Sequence, residues 1–284
     1  MGLFSKRKKK EKRKLPAQEN LVDKEMSFVD HLEELRWHIV RALSSIMIVG
    51  IVVFIFRKFV FDTIIFGPRN EDFFTYRFFC GISEKICLKP VAFELIAIQM
   101  GEQFFTAIKV SFFLGLIVSF PLVFWEIWKF IKPGLYKREQ KAARGIVFSC
   151  STLFMMGVTF GYFIIAPFAI NFLIGFDIGE ASASPSLSSY VNYMTLFTLP
   201  TGILFQLPIF VYFLSLIGLL TPDIMRKYRK HAFIVILIIA AVATPPDVIT
   251  QFLVGVPVYI LYELSITVST RASKKYNESL EVDE

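Results

Sequence analysis

The residues of this chain best placed to do chemistry are carboxylates set beside apolar segments, where an acid can capture a cation. Glu34 lies in the stretch Ser-Phe-Val-Asp-His-Leu-Glu-Glu-Leu-Arg from Ser27 to Arg36, which runs on through Trp37 and His38 to Arg41. Phe28, Leu32, Leu35 and Ile39 recur at helical spacing and make one apolar stripe, with Asp30, Glu33, Glu34, Arg36 and Arg41 on the rest of the circumference. Ser27, three residues before Asp30, fits a capping box and predicts the helix start. After Arg41 the chain turns almost wholly apolar, so residues 26–38 are expected to form an amphipathic helix on the membrane surface that then enters the bilayer. Glu34 at that mouth suits capture of a cation. The alternative is an ordinary interfacial helix in which Glu33 pairs with Arg36 at i, i+3. Glu139 is the second such acid, alone among the basic residues from Lys129 to Arg144. Its alternative is local neutralisation by Lys137, Arg138 or Lys141.

The elements that must hold these acids are membrane spans. The 284 residues are 55% hydrophobic with 32 Phe, and the mean hydropathy of +0.57 lies outside the soluble globular range. With three His in all and no Cys-x-x-Cys, a metal site is not expected. Neither a glycine-rich phosphate loop nor a Gly-x-Ser-x-Gly elbow is present, which argues against an enzyme, a cofactor or direct ATP binding. Nothing points to nucleic acid.

Residues 1–25 form a basic tail (Lys6, Lys8, Lys9, Lys10, Lys12, Arg13 and Lys14) without the apolar block of a cleavable signal peptide. Six apolar segments follow, at about 39–56, 105–128, 145–168, 196–219, 232–244 and 248–268, with a second tail over 271–284. The fold class is therefore all-α integral membrane. An even number of spans puts both termini on one side. Lys129, Lys132, Lys137, Arg138, Lys141 and Arg144 follow segment two, and Arg226, Lys227, Arg229 and Lys230 follow segment four, whereas the loop from Ser182 to Thr195 has no basic residue. Positive charge stays in the cytoplasm, so both termini are expected there, in a cytoplasmic (inner) membrane. Arg57 and Lys58, at the outer end of segment one, dissent and are read as snorkelling to the interface.

Segment five is short: 232–244 rises only about 20 Å, against a hydrocarbon core of about 30 Å. The last hairpin, turning at Thr244-Pro245-Pro246-Asp247, must thin the bilayer or rest in a depression held by its neighbours. Pro121, Pro167, Pro200, Pro208 and Pro257 interrupt the other spans, which predicts kinked helices around a concavity. The outer loop from about Phe61 to Gln103 carries Cys80 and Cys87, candidates for a disulfide in an oxidising compartment, while Cys150 reads as an apolar filler. Lys109, near an outer interface, is read as snorkelling, and Glu263 as facing Arg229 or Lys230.

Four motifs in order resemble the TatC subunit of the twin-arginine protein translocase, over about Met26 to Arg271. They are His31-Leu-Glu-Glu-Leu-Arg36, then Trp125-Glu-Ile-Trp-Lys-Phe-Ile-Lys-Pro-Gly-Leu-Tyr-Lys-Arg-Glu139, then Phe205-Gln-Leu-Pro208, and Thr244-Pro-Pro-Asp247 with Gln251 beyond. The resemblance implies a receptor for signal peptides bearing two adjacent arginines. It implies too that such a receptor works in multiple copies with single-span TatA- or TatB-type partners, moving folded proteins outward on the proton-motive force. It assigns Glu34, Arg36, Phe130, Leu135, Tyr136 and Glu139 to the peptide site. Phe130 and Tyr136 also read as interfacial aromatics.

The chemistry agrees with that role, because a carboxylate accepts a guanidinium fork bidentately and two arginines need at least two acceptors. Gln206 stands where many relatives carry Glu, so a mechanism needing an ionised carboxylate there is in doubt. A buried Gln costs several kcal/mol unless satisfied, so Gln206 is expected to face the concavity or a partner, or to bond within the chain. Pro208, Asp247, Gln251 and Glu263 complete the intramembrane and partner-facing set. The competing class, a small-solute secondary transporter, lacks the internal repeat such proteins usually show. A membrane-embedded hydrolase lacks a nucleophile and base.

Overall fold

The computed structural model describes residues 28–82, 90–132, 145–176, 184–243 and 248–281, and among these the chain is helical, with a single isolated bridge between Ile96 and Ser186. Cys87, Leu135, Tyr136, Glu139 and Asp247, all named above, lie outside the described residues, as does the Ser27 cap. The helices are α1 (Phe28–Ile55), α2 (Phe74–Ile82), α3 (Glu102–Ile131), α4 (Ile146–Gly175), α5 (Leu187–Leu216), α6 (Pro222–Lys227), α7 (Arg229–Ala243) and α8 (Val248–Glu281). Stretches of α1, α3, α4, α5 and α8 are long and apolar enough to cross a membrane. At 15 residues α7 rises only about 22 Å, as the short fifth segment predicts.

Several helices run beyond their apolar segments. The amphipathic stretch and the first span are one uninterrupted helix, α1, continued by a short turn at Arg57–Phe59 and a π-helical stretch at Val60–Ile65. The helix expected at 196–219 begins at Leu187, because its polar first turn is capped from two sides. Ser186 Oγ accepts from Ser189 N–H at 3.1 Å, and Glu102 Oε1, reaching across from α3, accepts from Ser188 N–H at 2.8 Å. Glu102 Oε2 also gathers the N–H groups of Ile98 (2.7 Å) and Gln99 (3.1 Å) just ahead of its own helix. One carboxylate thus serves a donor in the first turn of α5 and two in the turn that leads into its own helix.

Prolines are absorbed locally. Pro167 has no N–H to give the carbonyl of Phe163, four residues earlier. The chain makes a π turn at Gly161–Ile165, and the Thr75 hydroxyl of α2 donates to that Phe163 oxygen. In α5 the helix breaks at Phe205 and Gln206, just before Pro208. Carbonyls at the end of the Val60–Ile65 stretch are met by tyrosines: Tyr162 Oη donates to Ile64 O at 2.5 Å and Tyr190 Oη to Ile65 O at 2.9 Å. Buried Tyr76 donates to Pro68 O (2.7 Å) and accepts from Asn171 Nδ2 (3.0 Å); burial pushes its phenol up to about 12, with the Asn171 bond pulling the other way. Cys80, in the same helix α2, is disulfide-bonded.

The exterior is apolar and the contacts inside are small. Leu43, Met47, Ile48, Ile51 and Ile55 on α1 are all more than half exposed, the pattern of a lipid-facing stripe. Where α1 crosses α3, a Cβ at Gly115 would lie 2.9 Å from Ile46 O and 3.0 Å from Gly50 Cα. Where α4 crosses α5, a Cβ at Gly157 would lie 2.8 Å from Gly202 Cα, and one at Gly161 2.6 Å from Phe197 O. Backbones meet directly at both crossings, as expected where no hydrophobic force drives helices together in lipid.

Gly115→Leu is therefore expected to force α1 from α3 and destabilise the protein by about 1–3 kcal/mol, read as a lower thermal midpoint in detergent; an unchanged midpoint would show that the crossing yields freely. Glu102→Ala should also lower the midpoint, and Glu102→Gln, which keeps an acceptor, should lower it less. Equal losses in the two variants would remove the capping account.

Candidate functional site

The crossing at Gly50 and Gly115 sets where the same two helices bring their charged ends. A second tie, Ser119 Oγ to Ser45 O at 3.1 Å, lies one turn closer to those ends. Beyond it, Glu34, His38 and Arg41 occupy one face of α1 at i, i+4 and i+7, and Glu126, Lys129 and Phe130 occupy the end of α3.

Glu126 is the hub. Its side chain is 14% exposed, and its Oε2 lies 2.7 Å from His38 Nδ1 and 3.0 Å from Arg41 Nε, while Lys129 Nζ is 3.4 Å from Oε1. Arg41 also places a terminal nitrogen 3.1 Å from His38 Nδ1. His38 is buried, whereas the Glu34 side chain is 38% exposed and its Oε1 stands 4.0 Å from His38 Nε2. The Phe130 ring stacks on His31 with centroids 4.6 Å apart and meets His38 edge-on at 6.2 Å. The arrangement is thus a part-buried carboxylate met by an imidazole and two cations, with a more open carboxylate on the far side of that imidazole.

Of the residues expected in the site, Glu34 and Phe130 are brought to one cluster through His38. Arg36 is exposed, with its guanidinium 5.8 Å above the Trp37 ring, and takes no part in the contacts of Glu126. The i, i+3 pair between Glu33 and Arg36 is not formed; Glu34 approaches His38 instead. His38, two residues after the first motif, and Glu126, within the second, do not stand out in the sequence. The only signal for them was the spacing that puts His38 one turn after Glu34 and Glu126 one turn before Phe130.

Deeper in the membrane, Gln206 sits at the break in α5. Its Nε2 donates to Cys150 O at 3.2 Å, while its Oε1 is buried with no partner. Pro208 is buried beside it. Gln251 Nε2 donates to Leu237 O at 3.1 Å and ties α8 to α7. Glu263 accepts from Arg229 at 2.8 Å, the partner its position suggested, and from Tyr259 Oη at 3.2 Å. Lys109 does not merely snorkel: its Nζ donates to Asn192 Oδ1 at 2.9 Å. A groove of about 1530 Å³ runs along α3 and α4, from Lys129 and Lys132 at the Glu126 end, past Met155 and Phe205, to Phe163 and Phe74. Among the described residues no cluster of His, Cys, Asp and Glu could hold a metal.

Residues 30–257 match the family described as Sec-independent protein translocase protein (TatC). The chain is 39% identical to the protein of that name from Blattabacterium sp. subsp. Periplaneta americana (strain BPLAN), over 88% of this chain and 97% of the relative. It is 36% identical to the one from Helicobacter pylori (strain J99 / ATCC 700824), over 84% and 87%. A crystal structure of a twin-arginine translocase receptor, TatC, superposes with a TM-score of 0.66 at 31% identity, over 86% of this chain and 99% of that one. The apolar multi-span bundle and the length of the match agree, and the chain belongs to the TatC family of multi-pass protein translocase proteins.

Proposed function

We propose that the protein is the signal-peptide receptor of a twin-arginine translocase in the cytoplasmic (inner) membrane, with both termini in the cytoplasm. The observation that carries this reading is the open Glu34 carboxylate, joined through His38 to Phe130 and to a Glu126 already held by Arg41. An incoming guanidinium finds there an acceptor that no internal cation has claimed. Glu139, Leu135 and Tyr136 supply the second acceptor and its surroundings from the loop after α3, and Arg36 borders the site. The basic residues that share this face suit its cytoplasmic placement.

Transport then needs partners. Single-span TatA- and TatB-type subunits, in multiple copies, assemble against the bundle and move folded proteins outward on the proton-motive force. The half-satisfied Gln206, at the break in α5, is one contact for such a helix, because its buried Oε1 has no partner within the chain and gains from any donor that reaches it. Pro208, which breaks α5 there, shapes that contact. Gln251 and Asp247 belong to a second one where α7 gives way to α8, and Glu263, held by Arg229, is a further intramembrane polar residue at the far end of that helix pair. The disulfide of Cys80 is proposed to close on Cys87.

Binding of a labelled twin-arginine signal peptide to the purified protein tests the receptor role. A twin-lysine peptide should bind more weakly, and Glu34→Ala and Glu139→Ala should each weaken twin-arginine binding roughly 10-fold or more, the loss of one charge-assisted hydrogen bond. Equal binding of both peptides would leave only the fold. For the membrane contact, Gln206→Leu is expected to reduce co-purification of the small partners and export of a twin-arginine reporter; if both are unchanged, Gln206 is a packing residue.

A further inference from the structure

We infer that the His38 imidazole, oriented through Nδ1 by Glu126, is an arginine acceptor standing beside Glu34 through Nε2; this rests on the receptor reading above. His38 Nδ1 and Glu126 Oε2 are 2.7 Å apart, the length of a charge-assisted N–H···O⁻ bond. Were Nδ1 the bare nitrogen, that contact would press a lone pair against a carboxylate oxygen. Nδ1 therefore carries the hydrogen, an assignment made from the distances. The Arg41 nitrogen 3.1 Å away is then no donor to it, and Arg41 is held instead through Nε on the same Glu126 oxygen.

In a neutral ring, a hydrogen on Nδ1 leaves a lone pair on Nε2. That atom lies 4.0 Å from Glu34 Oε1, beyond hydrogen-bond reach, so neither acceptor is consumed by the other. A guanidinium, with five N–H donors in a plane, can give one N–H to each and keep others turned outward. Phe130, edge-on to His38 and stacked on His31, offers a flat face along which that plane can lie. An ammonium can span the same gap only by shedding water it holds tightly, and it has no plane to stack. The charged groups around His38 are Glu34 and Arg41 from α1 and Glu126 and Lys129 from α3. With two acids and two bases, they do not repel an arriving cation.

The role separates from packing in a ratio of affinities. Twin-arginine and twin-lysine peptides are titrated against the natural protein and the variants His38→Ala, His38→Lys, His38→Gln and Glu34→Ala. Removing the acceptor (Ala) or replacing it by a donor (Lys) should cut the arginine-to-lysine preference about tenfold, the value of one hydrogen bond to a charged group. His38→Gln, whose amide oxygen can stand in for Nε2, should recover most of it. Misfolding lowers binding of both peptides together, so the ratio is blind to the fraction folded. A ratio unmoved in His38→Ala but lost in Glu34→Ala would overturn this inference and leave the receptor reading intact, as would a Gln variant no better than Ala. Equal affinities for both peptides in the natural protein would overturn both.

Discussion

The structure depends on backbones being able to touch. In water, apolar faces are driven together, and a bulky side chain between two helices can be accommodated by a wider interface. In lipid that drive is absent, and helices associate where close approach gives dense packing. At Gly115 the space a Cβ would fill is taken by the Ile46 carbonyl oxygen and the Gly50 Cα. That contact fixes the separation of α1 and α3 mid-membrane, and because both helices continue unbroken to their charged ends, it also fixes how far Glu34 and His38 stand from Glu126 and Phe130. Gly157 and Gly202 do the same for α4 and α5, and the Gln206 amide reaches Cys150 O across that second crossing.

A second constraint is that no backbone polar group can be abandoned away from water. The long spans are interrupted, yet the interruptions are supplied with partners. The Phe163 oxygen that Pro167 leaves unpaired receives the Thr75 hydroxyl, the Ile64 and Ile65 oxygens receive tyrosine hydroxyls, and Glu102 collects one N–H group in the first turn of α5 and two in the turn before its own helix. These partners converge at the end of the bundle opposite Glu34 and hold α2 and the chain around Pro68 against α4 and α5. The one buried side-chain atom among the described residues without a partner is Gln206 Oε1. In a molecule otherwise so thoroughly paired, that exception carries more weight than it would in a loosely satisfied one.

Much of the fold was legible because hydropathy reports the lipid-facing surface directly. Five of the six apolar segments fall in helices long enough and apolar enough to cross a membrane. The π turn before Pro167 and the break before Pro208 fall at prolines expected to interrupt the spans, whereas Pro121, Pro200 and Pro257 lie inside continuous helices. The helix starts could not. The first turns of α5, Leu187 to Tyr193, read as polar loop, since the acid that stabilises them, Glu102, is 86 residues away in sequence. The site was half legible for a similar reason. Glu34 and Phe130 stand out by type and motif, and Lys109 looked like a lone cation until Asn192 came into reach. Glu126 did not stand out, because its meaning lies in His38 and Arg41, which only the α1–α3 crossing brings to it.

That crossing also decides which carboxylate can be a receptor. Glu34 and Glu126 are the same chemical group on facing helices, a few ångströms from a shared imidazole. Glu126 is three-cornered by His38, Arg41 and Lys129 and largely out of solvent, so an arriving arginine would have to displace an internal one and gain nothing in exchange. Glu34 has only the far side of the ring near it and keeps over a third of its surface open. A further cation at Glu126 would also meet the like charges of Arg41 and Lys129 already on it. The internal arginine thus makes selection sharper: it neutralises the carboxylate nearest the membrane and leaves the outer one as the site with an unmet charge. Arg41 and Glu126 add little stability as a pair, since the Arg41 side chain is 53% exposed. Their value is in holding His38 and keeping the second acid from competing with Glu34.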